Sequence, residues 1–429
     1  MKLIIDNIGK IKHAEISFNG ITVLAGENNT GKSTVGKALF SIFHSCFDIE
    51  NYILRQKILR ARREITKILK ANVYVKDEYE SFDFFETLDF NPLYKSLITN
   101  LFDNHSKEKV VSFLKSSLPD SLFSRIDSHD EVVEAIENTI EEIKNLPNKM
   151  YYVSRVWNTF NSVFEGQYLN FNSERGYVDG IIKGKRVSAE FNEDSCSDFN
   201  LDFIFTNQAI LLDTPSILDD LSERTYRSNI IKYTIVKKLN CDERSDSADV
   251  DSTITAQKLS RIFDLLNGIV PGKFQKSEFT QDRSFLFKGM SKPLKLKNLS
   301  QGIKSFLIIK RLCENGQFTE KDVLILDEPE INLHPSWQLV YAELVVLLQK
   351  EYNLTILLST HSPYFLSAIE AYSKKYDIVN KCTFYLSDND ENGNALFTDV
   401  TNNTEKIYTK LVKPFDTIAE IESEMRGDD

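Results

Sequence analysis

Residues 323–330 read VLILDEPE, and this stretch decides how the rest of the chain is interpreted. Four apolar residues in a row, without helical spacing, predict a β-strand that is buried on both faces, as in a parallel sheet. Asp327 and Glu328 end that strand, and Pro329 stops its hydrogen-bonding ladder. Since ligands of open α/β sheets bind at the carboxyl ends of the strands, we predict that Asp327 helps to hold Mg²⁺ and that Glu328 polarises a water molecule. Taken alone, the same residues also fit a strand with an acidic turn.

The composition is that of an ordinary globular chain. Of the 429 residues, 41% are hydrophobic and 27% are charged, and the length allows two or three domains. The net charge of −11 argues against a protein that covers nucleic acid with its whole surface, although a local basic patch is compatible with it. Five scattered cysteines without a CxxC motif indicate neither a structural zinc site nor a disulfide framework. No apolar run is long enough for a signal peptide or a membrane span, so we expect a cytoplasmic protein.

A phosphate-binding loop is predicted near the N-terminus. Residues 21–25 predict a strand and residues 35–40 predict a helix, and the nine residues between them contain the G-x-x-x-x-G-K-S motif. Backbone N–H groups of such a loop cradle phosphates at the start of a helix. Lys32 is expected to reach the β- and γ-phosphate oxygens, and Ser33 to ligate Mg²⁺. Asn29 stands where many such loops have another glycine, and asparagine tolerates a positive φ. The predicted nucleotide-binding residues are Gly26, Glu27, Asn28, Asn29, Thr30, Gly31, Lys32, Ser33 and Thr34.

Further strands are predicted on either side of the chain's middle. Gly9 marks a turn between two N-terminal strands, and Asn19-Gly20 is a strong β-hairpin signal before the third strand. Residues 176–191 alternate as a hairpin around Gly184. Residues 201–206 and 209–213 predict strands that return to the main sheet.

A helix with a polar start is predicted after residue 299, where the sequence is LSQG. Ser300 is a suitable N-cap, and its hydroxyl and the following amides would then point outward. A helix start that can bind anions, far along the chain from the phosphate-binding loop, suggests a phosphate contact made to a second copy. Taken alone, Ser300 and Gly302 are better explained by an ordinary capped helix.

A second buried strand is predicted at residues 354–359, directly before Thr360-His361-Ser362-Pro363. It is adjacent to the strand ending at Asp327 if the connection is a right-handed crossover. The intervening helix is expected from Pro335 to about residue 352, with proline in its first turn. A neutral imidazole at His361 would then hydrogen-bond a γ-phosphate. His334 has no second metal ligand nearby, so we expect it to cap a helix or to lie in an interface.

These segments, in this order, resemble the ABC-type ATPase head of the SMC and DNA-repair superfamily. The stretches EPEINLHPSWQ (328–338) and THSP (360–363) are similar to stand-alone ATPases of bacterial antiphage defence, most closely the ATPase subunit of Septu-type systems, which also accompanies some retrons. The resemblance is strongest over residues 1–40 and 295–415. It implies an α/β fold, namely an ABC-type P-loop ATPase head with a mixed β-sheet core and an inserted α-helical region.

The resemblance also implies the roles of the matching residues within one copy. Residues 26–34 would bind ATP, and Ser33 and Asp327 would hold Mg²⁺. Glu328 would orient or deprotonate the attacking water, and His361 would sense the γ-phosphate.

Partners are implied as well. Ser300 and Gly302 would contact the γ-phosphate that a second protomer binds, so that two ATP molecules lie within a head-to-tail homodimer, and higher assemblies of such dimers are plausible. Gln301 replaces one glycine of the transporter signature, which leaves the hydrolysis rate open. The family partner is a small HNH nuclease, which the ATPase restrains or licenses. In a retron, the reverse transcriptase and its RNA–DNA product would be further partners.

The predicted organisation has five segments. They are the N-terminal part of the ATPase core (1–50), an α-helical insertion (51–150), a β-rich return to the core (151–220), a helical or linker arm (221–290) and the C-terminal part of the core (291–429). In the insertion, residues 54–70 predict a helix whose polar side is basic, with Glu64 as its one acid. That side would contact nucleic acid. Alternatively, it is a solvated face or one that docks on an acidic partner, and we favour this alternative.

Three alternative functions remain. An OLD-type ATPase–nuclease would use Asp388 and Asp390 as a metal pair, but the nearby residues 392–394 (NGN) indicate a hairpin turn. An SMC-type DNA-repair clamp would need heptad arms and a CxxC hook, and neither is present. A transporter ATPase would need a membrane partner and a clearer Mg²⁺-sensing glutamine than Gln208, which we favour as a surface turn residue.

Overall fold

The computed structural model describes residues 1–73, 91–126, 128–241, 250–276 and 283–427. The middle of the predicted linker arm, residues 242–249, lies outside the described residues. The chain divides into two compact units, one formed by Met1–Phe47 with Val153–Asp429 and the other by Asp48–Tyr152. The sequence analysis predicted the insertion at residues 51–150.

The described strands and helices have the following bounds. The strands are β1 (Lys2–Ile8), β2 (Ile11–Ser17), β3 (Ile21–Gly26), β4 (Gly176–Ile182), β5 (Lys185–Phe191), β6 (Cys196–Leu201), β7 (Ala209–Leu212), β8 (Gly272–Lys276), β9 (Arg283–Phe287), β10 (Leu294–Lys295), β11 (Val323–Asp327), β12 (Thr355–Thr360), β13 (Cys382–Asn389) and β14 (Ala395–Asp399). The helices are α1 (Lys32–Cys46), α2 (Ile49–Asn72), α3 (Pro92–Asp103), α4 (Lys107–Ser117), α5 (Asp120–Phe123), α6 (His129–Asn145), α7 (Asn148–Val163), α8 (Ile230–Asn240), α9 (Val250–Ile269), α10 (Gln301–Glu314), α11 (Pro335–Tyr352), α12 (Pro363–Lys375) and α13 (Glu405–Gly427).

The larger unit is built on an eleven-stranded mixed sheet. Its strand order is β6-β5-β4-β1-β2-β14-β13-β3-β12-β11-β7. The strands from β13 to β7 run parallel, whereas β6, β5, β4, β1 and β2 are antiparallel neighbours. The predicted α/β fold class with a mixed sheet is thus confirmed. The predicted hairpin of residues 176–191 is present as β4 and β5.

The hairpin predicted at Asn19-Gly20 is wrong, because β14 and β13 lie between β2 and β3. All residues of β3 are buried, and both of its neighbours, β12 and β13, run parallel to it. Gly20 instead allows a close approach: it has φ +113°, and a Cβ atom there would lie 2.6 Å from the carbonyl oxygen of Lys381. A glycine is therefore needed at residue 20 because the backbone at Lys381 passes close to it, not because the chain forms a hairpin turn there.

The strand predicted at residues 201–206 is also wrong. Strand β6 already ends at Leu201, and beyond it Phe205 forms an isolated bridge with Phe47. Phe205 is buried and packs edge-on against Phe43, with ring centroids 5.0 Å apart, while Ile204 is exposed. The apolar pattern thus reflects stacked aromatic side chains, Phe203 on Phe205, rather than a strand.

The apolar strands place α1 against the sheet. Residues 323–326 of β11 are buried, as are residues 356–360 of β12, because both faces of a parallel sheet are covered. On α1, a Cβ atom at Gly36 would lie 3.0 Å from Cγ2 of Ile325. The absence of a side chain there lets the helix lie close to β11, which brings its N-terminus to the carboxyl ends of the strands.

The smaller unit is helical. Helices α2 to α6 pack around an apolar core that includes Ala61, Ile65, Tyr94, Phe113 and Ile136. On the outer side of α2, Arg60, Arg63 and Lys70 are exposed. None of the helices in the described residues of the chain is both long and apolar enough to cross a membrane.

Candidate functional site

The phosphate-binding loop has the backbone shape that its sequence predicts. Gly26, Asn29 and Gly31 have positive φ angles of 157°, 61° and 80°, and asparagine is among the few residues that tolerate this conformation. Lys32 is 5% exposed and donates from Nζ to the carbonyl oxygens of Gly26 (3.0 Å) and Glu27 (2.6 Å). The ammonium group is therefore held inside the loop, while Ser33 is exposed beside it.

Strand β13 supports this loop. The hydroxyl groups of Thr30 and Ser387 are hydrogen-bonded at 2.8 Å, and a Cβ atom at Gly26 would lie only 2.2 Å from the carbonyl oxygen of Ser387. Gly26 is thus required by a close approach of two strands as well as by its φ angle. Sequence reasoning missed Ser387, because only the pairing of β13 with β3 brings it to the loop.

The end of β11 carries the predicted acidic pair. The Ser359 hydroxyl donates to Asp327 Oδ1, and the Glu328 amide donates to Ser359, at 3.2 Å to the carbonyl oxygen and 3.0 Å to the hydroxyl. Glu328 has φ +49°. Such a conformation is unfavourable for a non-glycine residue and persists only where its surroundings hold it. Here the hydrogen bonds of Ser359 hold the backbone that presents the Glu328 side chain.

Glu328 meets both Lys32 and His361. Its Oε1 atom lies 3.9 Å from Lys32 Nζ and 3.4 Å from His361 Nδ1. Hydrogen bonding to His361 holds the pKa of Glu328 below its ordinary value, and the charge of Lys32 acts in the same direction. The same bond raises the pKa of His361, which favours the imidazolium over the neutral form expected from the sequence. Burial lowers the pKa of Lys32, and the neighbouring carboxylates oppose that change.

Glu330, which the sequence analysis did not single out, is a third carboxyl group of this site. It is 3% exposed. Its Oε1 atom accepts hydrogen bonds from the Thr360 hydroxyl and from the His361 amide (3.2 Å), whereas its Oε2 atom is buried without a hydrogen-bond partner among the described residues. Burial raises its pKa. The acidic EPE sequence was a visible signal, but it did not show which acid is buried.

Gln208 is not near this site, so its suggested role as an Mg²⁺-sensing glutamine is wrong. It precedes the amino end of β7, where Ala209 pairs with Val323, and its side-chain amide donates to Gln317 and Asp322. At the opposite end of β7, Asp213 follows Leu212. It lines a cavity of about 100 Å³ together with Asp327 and Glu328, and burial raises its pKa. Sequence reasoning missed Asp213, because its position depends on which strand pairs with β11.

The LSQG segment begins α10 as predicted. Ser300 is exposed and caps the helix, accepting at Oγ from the Ile303 amide at 3.4 Å. Gly302 is buried against its own chain, since a Cβ atom there would lie 3.1 Å from the carbonyl oxygen of Asn332. Lys304, also buried, donates to Asp219 at 2.6 Å. Within the described residues, no hydrogen bond joins Ser300 to residues 26–34, so the structure brings together Lys32, Asp327, Glu328 and His361 but not Ser300.

The other polar candidates have structural roles. His334 accepts from the Ser336 amide and caps α11, as predicted. Asp388 pairs with Lys410, and Asp390 accepts from Asn392 and Asn394 in the hairpin between β13 and β14. In the part of the chain that the structure describes, no group of three or more His, Cys, Asp or Glu residues is arranged to hold a metal ion.

Comparison with known proteins gives a family and several distant structural likenesses. The sequence matches the AAA ATPase domain family over residues 1–366. A search of curated proteins gave no match. Similar solved structures include the SMC head domain from Thermotoga maritima (13% identity, 93% of this chain and 98% of that chain, TM-score 0.39). They also include an SmcHead bound to the C-winged helix domain of ScpA (11%, 93% and 97%, 0.44) and an Smc head domain bound to the C-terminal domain of ScpA, from Pyrococcus furiosus (11%, 98% and 98%, 0.39).

The assignment rests on the family match, since the TM-scores of these likenesses are low. The matched range contains the predicted phosphate-binding loop and three side chains at the ends of β11 and β12, namely Asp327, Glu328 and His361. The chain belongs to the AAA ATPase domain family.

Proposed function

We propose that this chain is an Mg²⁺-dependent ATPase that hydrolyses ATP between two copies of itself and thereby controls a separate HNH nuclease in antiphage defence. One observation carries the enzymatic part. Lys32, Glu328 and His361 come from three different segments of the chain, and the Lys32 ammonium and the His361 ring each lie within 4 Å of the Glu328 carboxylate. Phosphoryl transfer to water requires such positioning and charge stabilisation rather than a covalent group.

The oxygen donors present fit Mg²⁺. Asp327 uses one carboxylate oxygen for the Ser359 hydroxyl, which leaves the other for a cation, and the Ser33 hydroxyl is exposed. Carboxylate and hydroxyl oxygens are the donors that Mg²⁺ prefers. Ser33 and Asp327 would hold the ion, with Asp213 as a further acidic neighbour. When bound, the ion would supply positive charge to offset the negative charge of the phosphate groups.

The chain's own residues then have distinct tasks. Lys32 provides a positive charge for the β- and γ-phosphates. Glu328 has a lowered pKa, so it is ionised near neutral pH and can accept a hydrogen bond or a proton from the attacking water. His361 has a raised pKa, so its protonated ring can donate a hydrogen bond to the γ-phosphate. The positive φ of Glu328 fixes where the carboxylate is presented.

The dimeric part of the proposal rests on Ser300. Ser300 is exposed and lies at the N-cap of α10, and helix N-termini bind phosphate groups. Since no described hydrogen bond links Ser300 to the loop of its own chain, we assign its phosphate contact to a second copy. The antiphage role and the HNH nuclease partner follow from the resemblance of residues 328–338 and 360–363 to the Septu-type ATPases.

A trapping experiment tests this function. Glu328→Gln should bind ATP with Mg²⁺, hydrolyse it very slowly and double its mass in light scattering. Lys32→Ala should bind no ATP and keep the mass of the nucleotide-free protein. Glu343→Gln is the matched control. It replaces a carboxylate on α11, outside the site, with an amide and should behave as the wild type.

The nuclease partner is tested by searching the neighbouring genes for an HNH protein and then adding ATP and DNA to a mixture of that protein with this chain. Cleavage should differ between the wild type and Glu328→Gln. Equal DNA cleavage with the two proteins would contradict the regulatory role. ATP hydrolysis by Glu328→Gln at the wild-type rate would contradict the catalytic role of Glu328.

A further inference from the structure

We propose that Glu330 is a positioning residue for ATP hydrolysis: its buried carboxyl group fixes the end of β12 so that His361 meets Glu328. The inference rests on the proposed ATPase function and assigns a role to a group that the mechanism above does not use.

Reciprocal hydrogen bonds join the ends of β11 and β12. From β12, Ser359 accepts the Glu328 amide and donates to Asp327. In return, Glu330 accepts the Thr360 hydroxyl and the His361 amide. The two strands thus hold each other's terminal residues. Among the hydrogen bonds of the described residues, the one to Glu330 is the only one that holds the backbone amide of His361.

The same carboxyl group also faces the imidazole. The Glu330 Oε1 atom that accepts the His361 amide lies 4.0 Å from Nδ1 of that residue, and Nδ1 in turn lies 3.4 Å from Glu328 Oε1. His361 is 43% exposed at its side chain, so solvent would otherwise allow several ring orientations. Two carboxyl groups on one side of the ring favour the orientation in which Nδ1 carries a proton and faces Glu328.

Fold stability alone does not explain Glu330. Its Oε2 atom is buried without a partner among the described residues, and a buried acceptor left without a hydrogen bond destabilises the folded state. Glu330 is also too enclosed, at 3% exposure, to act on water directly, whereas the Glu328 side chain is 22% exposed. The arrangement therefore points to a residue that acts through His361.

Substitutions of Glu330 and Thr360 should change kcat without a comparable change in KM for ATP. Glu330→Ala should lower kcat about 10- to 100-fold, as expected for misplacing a reacting group by about 1 Å, while KM for ATP changes by less than about threefold. Glu330→Gln retains an acceptor oxygen of the same shape and should keep kcat within about threefold of the wild type. Thr360→Val removes one of the two donors and should give an intermediate kcat.

A double-mutant cycle with His361→Ala distinguishes positioning from a structural role. If Glu330 acts through His361, Glu330→Ala should lower kcat by less than about twofold in the His361→Ala background. Equal losses in both backgrounds would overturn the inference. If Glu330→Ala does not fold, Thr360→Val takes its place in the cycle with the same two outcomes.

Controls separate this inference from the proposed function. Glu343→Ala removes a carboxylate that accepts from Lys375 and Tyr376 and should lower Tm without changing kcat. A wild-type protein that does not hydrolyse ATP would overturn the proposed function itself. A wild-type protein that hydrolyses ATP, with kcat unchanged in Glu330→Ala, would overturn only the role of Glu330.

Discussion

The parallel strands carry a buried acidic group at each of their two ends, and the two ends differ in how completely those groups are satisfied. At the amino end, Asp322 is 1% exposed and accepts hydrogen bonds from the amides of Gln208 (3.0 Å) and Thr319 (2.9 Å) and from the Gln208 side chain. Lys238 donates to the same glutamine. Among the described residues, no buried polar side-chain atom of Asp322, Gln208 or Lys238 lacks a hydrogen-bond partner.

The carboxyl end is strained and incomplete by comparison. Glu328 has a positive φ, and one oxygen of the buried Glu330 has no partner among the described residues. Satisfied buried groups hold a structure together, whereas strain and unsatisfied groups are retained where they serve a function. We therefore expect substitutions at the amino end to change stability and those at the carboxyl end to change the rate of hydrolysis.

The largest expected effect is at the carboxyl end. Glu328→Gln should lower kcat by about 100- to 1000-fold, because the amide cannot accept a proton from water. Its Tm should stay within a few degrees of the wild-type value. Single-turnover ATP hydrolysis and calorimetry measure the two quantities. A loss of kcat that is fully explained by a fall in Tm would show that the carboxyl end, like the amino end, acts on stability.

A slightly smaller effect is expected at the amino end. Asp322→Ala should lower the free energy of unfolding by about 2–4 kcal/mol, since it leaves buried donors of Gln208 and Thr319 unpaired. Urea denaturation measures this loss, and kcat per folded molecule should remain within about twofold of the wild type. If Asp322→Ala lowers kcat per folded molecule strongly while the free energy of unfolding stays near the wild-type value, the proposed division between the two ends does not hold.

The same end should show a pH dependence through Lys238. Burial lowers the pKa of this lysine to about 8, so between that value and 10.5 the unfolded chain binds more protons than the folded one. Stability relative to Lys238→Met should therefore rise with pH across this window, by roughly 1–3 kcal/mol. Unfolding of both proteins at pH 7.5 and pH 10 measures it. A constant difference would mean that Lys238 titrates normally.

The smallest effect is expected at a surface carboxylate that belongs to neither buried group. Asp388 forms a surface ion pair with Lys410, so Asp388→Asn should change the free energy of unfolding by less than about 1 kcal/mol and leave kcat unaltered. Purified protein with Mg²⁺ and DNA should show no cleavage. Cleavage that Asp388→Asn abolishes would instead support a nuclease site in this hairpin.

The sequence predicted those parts of the site that depend on nearby residues. The phosphate-binding loop is one continuous motif, and the adjacency of Glu328 and His361 follows from a short strand–helix–strand connection. The possible Mg²⁺-sensing role of Gln208, which the sequence analysis did not favour, could be excluded only once the direction of β7 in the sheet was known. Asp213 and Ser387 were missed because strand pairings between residues far apart in sequence bring them to the site. Nothing local shows that Glu330 is buried while Glu328 is open.

Mixing two inactive variants tests the central claim, that each ATP is hydrolysed between two copies. Ser300→Arg blocks the contact offered to the partner, and Glu328→Gln blocks the copy's own water activation, so each variant alone should be inactive. In an equimolar mixture, half of the dimers contain both variants and have one intact site, so about a quarter of the wild-type ATPase activity should return. No recovery in a mixture that demonstrably exchanges subunits, or full activity of Ser300→Arg alone, would contradict the account.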